Sequence, residues 1–247
     1  MDVQQGFVLT RHWRDTPAGT QVDFWLATDR GPRQIRLPLQ TSVAFIPAAQ
    51  RAQAERLLTD DPDVQLRPLQ LRDFHQRPVL GLYCPQHNQL MRLEKTLRRA
   101  GVEVFEADVR PPERYLMERF ITAPVSFGGQ PGPDGLLLEA QMKPAPNYRP
   151  SLKLVSLDIE TSERGELYSI ALEGCGQRQV YMLGKARDDD SAVDFDLEFC
   201  GSREQLLERL NQWLAEHDPD AIIGWNLVQF DPVSYTHLRA HETRGNL

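Results

Sequence analysis

The chain has 247 residues, 40% of them apolar and 26% charged, with no apolar run near the roughly 18 residues a membrane helix needs. That excludes a spanning helix and a disordered polyelectrolyte, and leaves room for a sizeable core or for two domains. The net charge of −7 argues against holding nucleic acid by bulk electrostatics alone, and it is unevenly placed: residues 1–150 carry +2 and residues 151–247 carry −9.

From the N-terminus, "MDVQQGFVLTRHW" has an acid at position 2 and no basic-then-apolar leader, so a cytoplasmic location is expected. "FVLTRHW", "QVDFWLA" and "RQIRL" are strand-like runs separated by "DTPAGT" and "TDRGP", a pattern that predicts a small antiparallel meander. Helical periodicity follows in "PAAQRAQAERLL", "NQLMRLEKTLRRAG" and "PPERYLMERFI", the last opening on prolines that a helix tolerates only at its start. Met117, Phe120 and Ile121 read as core. The basic residues of "RHWRD" and the Arg98–Arg99 pair read as a solvated strand end and a helix C-terminus rather than as nucleic-acid contacts. "GGQPGPDG" reads as a hairpin tip, and "KPAPNYRP", with three prolines, as a domain boundary. The first domain is therefore expected to be α+β and to cover residues 1–147.

Beyond the boundary, "LKLVSLDIE", "ELYSIALEG" and "QVYMLG" are strand-like, and the triplet Asp188, Asp189 and Asp190 reads as a solvated loop. Ser202 and Gln205 form a capping-box pattern ahead of Leu206, Leu207, Leu210, Trp213 and Leu214, which share one helix face. "AIIGWN" reads as a short buried strand, so the order is β-β-β-α-β, a mixed sheet with a helix on its face. Cys84, Cys175 and Cys200 are odd in number and lack CxxC spacing, which points to buried or idle thiols.

Asp158 and Glu160 are separated by one residue on a strand and so share a face, with Leu157 and Ile159 on the other. Two such acids repel unless they share a proton or a divalent cation. A single acidic pair at a strand end is more often a surface charge pair. The second strand end shifts that balance, because "IIGWNLVQFD" also runs from apolar residues to a polar edge and places Asp231 five residues after Asn226. If the two strands are neighbours, Asp231 can join Asp158 and Glu160. Three carboxylates favour Mg2+ or Mn2+ over zinc, and paired cations of this kind activate water for phosphodiester cleavage. His237 and His241 lack the rest of a zinc-protease pattern, and the only Gly-Lys pair, Gly184 with Lys185, lacks the rest of a phosphate-binding loop.

"SLDIET", followed about 65 residues later by "GWNLVQFD", resembles the first and second exonuclease motifs of family B DNA polymerases. "GFVLTRHWRDTPAGT", "FWLATD", "SVAFIPA", "LGLYC", "EADVRPPERYLMERFIT" and "RGELYSIALEGCGQRQVYML" resemble the same family, so the likeness covers residues 1–231. The resemblance implies an N-terminal domain followed by a partial α/β RNase H-like 3′→5′ exonuclease domain over residues 148–231. It implies that Asp158, Glu160 and Asp231 supply three of four metal-binding acids and that Asn226 and Phe230 contact the single-stranded 3′ end. In the full enzyme it implies a primer–template DNA substrate, a sliding clamp as partner and no membrane. The third exonuclease motif and the polymerase domains are missing, so the chain is expected to be a front fragment with little activity of its own. Pro232 follows Asp231 where the family continues a helix, and "VSYTHLRAHETRGNL" has no apolar period; residues 232–247 are expected to be foreign or disordered, and Tyr235 cannot replace the third motif. The rival readings are a stand-alone exonuclease of the same fold and a non-catalytic nucleic-acid-binding module.

Overall fold

The computed structural model describes residues 3–185, 193–225 and 227. The chain divides into two compact units, Met1–Pro150 and Ser151–Leu247.

In unit 1, β1 (Gln4–Thr16), β2 (Gly19–Ala27) and β3 (Arg33–Arg36) pair antiparallel in succession. They are followed by β4 (Ser42–Pro47), α1 (Arg51–Leu57), β5 (Gln65–Arg72), β6 (Pro78–Cys84), α2 (His87–Arg99) and α3 (Pro111–Glu118). A hairpin completes the unit, with β7 (Pro124–Pro131) and β8 (Leu137–Pro144) joined through a turn at Pro133–Gly135. The first three strands are not a free meander, because β7 and β8 close them into a barrel of order β1-β2-β3-β8-β7. Closure depends on pairings such as Gln4 with Phe127, which join residues too distant for local pattern to reveal.

Alternation on the barrel strands buries Val22, Phe24, Leu26, Val125, Phe127, Ala140 and Met142, and α3 adds Tyr115, whose hydroxyl accepts from the Met142 amide at 3.1 Å. The three-stranded sheet β4-β6-β5 has its own core, in which Ala44, Ile46, Leu80 and Leu82 pack on Leu90, Leu93 and Leu97 of α2. Of the three residues read as core at the end of α3, only Ile121 is buried; Met117 is 57% and Phe120 87% exposed. Phe120 adopts a left-handed φ of 53° in the turn that returns the Ile121 amide to the Leu116 carbonyl, and this turn aims Phe120 outward.

The two cores of unit 1 meet at the start of α2. Gln86, the N-cap residue, makes no side-chain cap. Asp15 of β1 replaces it: its carboxylate accepts from the His87 amide (3.0 Å), the Asn88 amide (2.8 Å) and the Thr20 hydroxyl (2.7 Å). His87 is buried edge-on against Trp13. In the basic segments, Arg11 pairs with Glu113 at 2.9 Å, and Arg98 is tied to Glu94 and to the Val104 carbonyl.

Unit 2 contains β9 (Leu154–Thr161), β10 (Leu167–Gly174), β11 (Gln177–Leu183), β12 (Asp196–Cys200), α4 (Arg203–His217) and β13 (Ala221–Ile223). The sheet order is β12-β11-β10-β9-β13, with β9, β10 and β11 antiparallel and the two outer pairs parallel. β12 was not legible in the sequence, since its five residues, DLEFC, are too few and too acidic to show a period. α4 begins with half of the expected capping box: Ser202 Oγ accepts from the Gln205 amide at 3.3 Å, while Gln205 Oε1 reaches one residue past the N-cap and accepts from the Gly201 amide at 2.8 Å. Leu206, Leu207, Leu210 and Trp213 then cover Val155, Leu157, Ile159, Ile170 and Leu172 on one face of the sheet.

β13 is a strand but not a buried one: Ile222 is 39% and Ile223 50% exposed. Among the described residues it pairs with β9 alone, and an edge position with a single neighbour leaves its side chains open.

The stretch between the units lies outside any strand or helix. Tyr148 is buried and its hydroxyl donates to Asp29 at 2.9 Å, and the Ala145 amide donates to the Pro124 carbonyl at 3.0 Å. Lys153 is held in unit 2 by reciprocal hydrogen bonds with Asp220, each 2.8 Å. Arg149 bonds only to the neighbouring carbonyls of Pro146 and Tyr148, and the two units divide after Pro150, where the proline run led to an expected boundary after 147. A broad-specificity protease is expected to cut between Tyr148 and Lys153 and to spare "KPAPN"; first cuts before Ala145 would show that the Tyr148 anchor does not hold in solution.

Candidate metal centre on the acidic strand

β9 forms because alternation gives it one face for the core and one for polar groups. Val155, Leu157 and Ile159 are buried beneath α4, and Asp158 and Glu160 are exposed on the opposite face. The antiparallel register sets Asp158 opposite Ala171 and Glu160 opposite Ser169. Both neighbours are small, so they leave open space above the sheet, and among the described residues no cation is bonded to either carboxylate.

Beside Asp158 lies a depression of about 210 Å³ whose lining includes Ser156, Ala171, Glu173, Arg178 and Phe195. Among the described residues that line it, Arg178 is the one cation. Hydrogen bonding to Asp194 at 2.6 Å, then the charges of Asp194 and Glu173, hold the guanidinium above its ordinary value, so it stays charged. Arg178 and Phe195 were not singled out from the sequence. They reach Asp158 only through cross-strand placement, and no motif marks them.

On its other side β9 pairs in parallel with β13, Ile223 beside Ser156. The condition that the two strand ends be neighbours is therefore met. The next residue, Gly224, runs so close to β9 that a Cβ there would lie 2.5 Å from the Leu157 carbonyl oxygen. The chain thus leaves β13 against the backbone one residue from Asp158.

Asn226, Phe230 and Asp231 lie outside the described residues, as do the Asp188–Asp190 triplet, Tyr235, His237, His241 and the whole of 232–247. Among the described residues no group of three or more His, Cys, Asp or Glu side chains is placed to hold a metal. Asp158 and Glu160 offer hard oxygen donors suited to Mg2+ or Mn2+, and two such donors alone bind these ions weakly. Two of the three thiols are poor alternatives: burial pushes Cys84 up to about 12 and raises Cys200, so both stay protonated.

In comparison with solved structures, the fold is that of the corresponding region of a family B DNA polymerase. The enzyme from the archaeon Pyrobaculum calidifontis superposes with a TM-score of 0.67 at 17% identity, over 92% of this chain and 31% of that one. Residues 6–41 match the family described as DNA polymerase II, N-terminal, and residues 42–102 the family described as DNA polymerase II, insertion domain. The chain is 62% identical over 228 residues to DNA polymerase II of Escherichia coli strain K12. It belongs to the DNA polymerase II family. The match covers 92% of the chain, which spans 29% of the length of that relative.

Proposed function

We propose that this chain is the N-terminal part of a DNA-directed DNA polymerase whose unit 2 is an RNase H-like 3′→5′ proofreading exonuclease. The observation that supports it best is the geometry of β9: two exposed carboxylates on one face, beside a parallel strand whose continuation carries Asp231. In this reading Asp158, Glu160 and Asp231 would hold Mg2+ or Mn2+, which would supply charge stabilisation and activation of water for attack on a phosphodiester. Asp158 and Glu160 lie on a strand whose backbone is paired to β10 at both positions, so they need little rearrangement to receive the ion. Asn226 and Phe230 contact the single-stranded 3′ end, Phe230 by stacking on a base and Asn226 by hydrogen bonding. The longer protein acts on primer–template DNA, with a sliding clamp as partner, and works in the cytoplasm; no helix among the described residues is long and apolar enough to cross a membrane.

Three carboxylates hold a first cation weakly and a second one poorly. The 247-residue chain is accordingly expected to show little or no Mg2+- or Mn2+-dependent degradation of single-stranded DNA, and a polypeptide continued with the sequence that follows Asp231 in the polymerase family is expected to degrade it from the 3′ end. Robust metal-dependent activity of the 247-residue chain would show that the missing acid is dispensable.

A further inference from the structure

We propose that the cleft where β3 and β8 of the unit 1 barrel part binds a nucleotide, with Arg119 and Lys143 on its phosphate and Gln40 and Gln141 on its base. This goes beyond the exonuclease reading and uses no residue of unit 2.

The barrel is joined between these two strands by one pair, Ile35 with Leu137. β3 stops at Arg36, whereas β8 runs on to Pro144. Past Arg36 the chain stays with β2: the Leu37 amide donates to the Val22 carbonyl at 3.0 Å, and Gln40 and Thr20 exchange backbone hydrogen bonds at 2.8 and 3.3 Å. Beyond Leu137, β8 therefore keeps β7 on one side and, among the described residues, no strand on the other. The gap is a cleft of about 540 Å³, walled by Pro38 and Gln40, by β8 from Ala140 to Pro144, and by Tyr115 and Arg119 at the end of α3. Consecutive residues of β8 border it because it follows the strand's open edge, which both faces reach. Gln141 and Lys143 share one of those faces, and the buried Ala140 and Met142 share the other.

The walls are fixed before a ligand arrives. On the open edge of β8 the Met142 amide is met by the Tyr115 hydroxyl. Arg119 lies 3.8 Å over the Tyr115 ring and donates to the Tyr115 carbonyl at 3.2 Å. Gln40 Nε2 donates to the Pro38 carbonyl at 2.6 Å, which leaves its Oε1 free. Side chains held this way lose little entropy on binding.

The charge of the cleft identifies the ligand. Its lining holds two cations and no acid, within a chain of net −7. The side chains of Lys143 and Gln141 have no partner among the described residues. Arg119 has Glu118 at 3.7 Å, but both are exposed and such a pair is worth little. A phosphate takes charge-assisted hydrogen bonds from both cations. The volume is that of a small-molecule site, and the apolar surface of Pro38, Met142 and Pro144, with two amides beside it, suits a flat base whose edge carries donors and acceptors. Inorganic phosphate would leave that surface unused. The nucleotide is either free or part of a single strand.

The test is a nuclear magnetic resonance titration of the full 247-residue chain with isotope-labelled methionine methyl groups, in EDTA so that no cation occupies the acidic strand. The ligands are dTMP, thymidine, inorganic phosphate and an oligothymidylate of about six nucleotides. The Met142 methyl is expected to shift with dTMP, and at least about tenfold more weakly with thymidine or inorganic phosphate, while Met91 of α2 stays unmoved. Tighter binding of the oligothymidylate assigns the cleft to a strand, and tighter binding of dTMP assigns it to a free nucleotide; either supports the proposal. Lys143→Gln and Arg119→Gln are each expected to weaken dTMP about tenfold, the loss of one charge-assisted hydrogen bond, and Lys143→Arg to retain it. Lys95→Gln, at an exposed cation of α2, and Asp158→Ala are expected to bind as the parent does. Circular dichroism should show every variant folded. Equal binding of thymidine and dTMP, equal binding of inorganic phosphate and dTMP (an adventitious ion only), parent-like affinity in Lys143→Gln and Arg119→Gln, or no Met142 shift with either nucleotide ligand would each overturn the proposal. None of these outcomes bears on Asp158 or Glu160, so the exonuclease reading stands or falls separately.

Discussion

Replacing Asp158 and Glu160 together by alanine in the longer polypeptide is expected to lower 3′→5′ degradation of single-stranded DNA by about a thousandfold or more. Metal-ion stabilisation of a phosphoryl transition state is worth several kcal/mol, and each 1.36 kcal/mol is a factor of ten in rate. Both side chains stand exposed on the face opposite α4 and fill no core volume. Stability is therefore expected to change by no more than about 0.5 kcal/mol, and removal of two neighbouring like charges favours the folded state if it acts at all. DNA synthesis by the same polypeptide serves as the internal control and is expected to persist. Retained degradation would sink the assignment of β9 as the metal-binding strand. Loss of synthesis and melting temperature along with degradation would show that the acids are structural.

The second large effect is expected at Asp15, in unit 1, which carries none of the proposed catalytic residues. Asp15→Ala strands the amides of His87 and Asn88 and the hydroxyl of Thr20 at the junction of the two cores of unit 1. An unmet donor costs about 1–3 kcal/mol when buried, and a lost cap about 1 kcal/mol, so a total of about 2–3 kcal/mol is expected in denaturant unfolding. Asp15→Asn keeps an acceptor and should cost less. Asp60→Ala, at an exposed acid, should cost nothing measurable.

The pH dependence at this junction has a definite sign. Burial raises the Asp15 carboxyl, but hydrogen bonds from Asn88, Thr20 and His87 outweigh it and leave the group below its ordinary value. A depressed carboxyl stabilises the fold above its unfolded value of about 3.9 and loses that contribution as the pH falls through the folded value. Burial lowers His87, partly offset by the charge of Asp15, so its neutral form is the one the fold accepts. Its contribution is present above the unfolded value of about 6.5 and fades as the pH falls below it. Unit 1 should accordingly lose stability in two stages on acidification, a first below about pH 6.5 and a second below about pH 4. Asp15→Ala should shrink the second stage without abolishing it, because Asp73 and Glu103, bonded to Arg77, are also held below their ordinary values. A flat stability profile between pH 7 and pH 3 would refute both assignments.

Much of unit 2 could be read from local pattern, because its elements are specified locally. The Ser202–Gln205 capping box, the leucine and tryptophan face of α4, and the alternation that turns Asp158 and Glu160 away from Leu157 and Ile159 all depend on residues within a turn or two of one another. So do the three helices of unit 1 and the hairpin at Pro133–Gly135. Barrel closure, by contrast, depends on strands separated by more than a hundred residues, and a strand's sequence names its faces but not its neighbour. The same limit hid β12, the edge position of β13, and the outward turn of Phe120. It also hid Arg178 at the depression beside Asp158, the Asp15 cap on a helix that begins at residue 87, and the Tyr148 anchor that moves the domain boundary. Sequence determined which carboxylates share a face, because that is a two-residue period. Only the tertiary structure decided what stands beside them, because strand order is set by how the completed sheet buries its apolar side against α4.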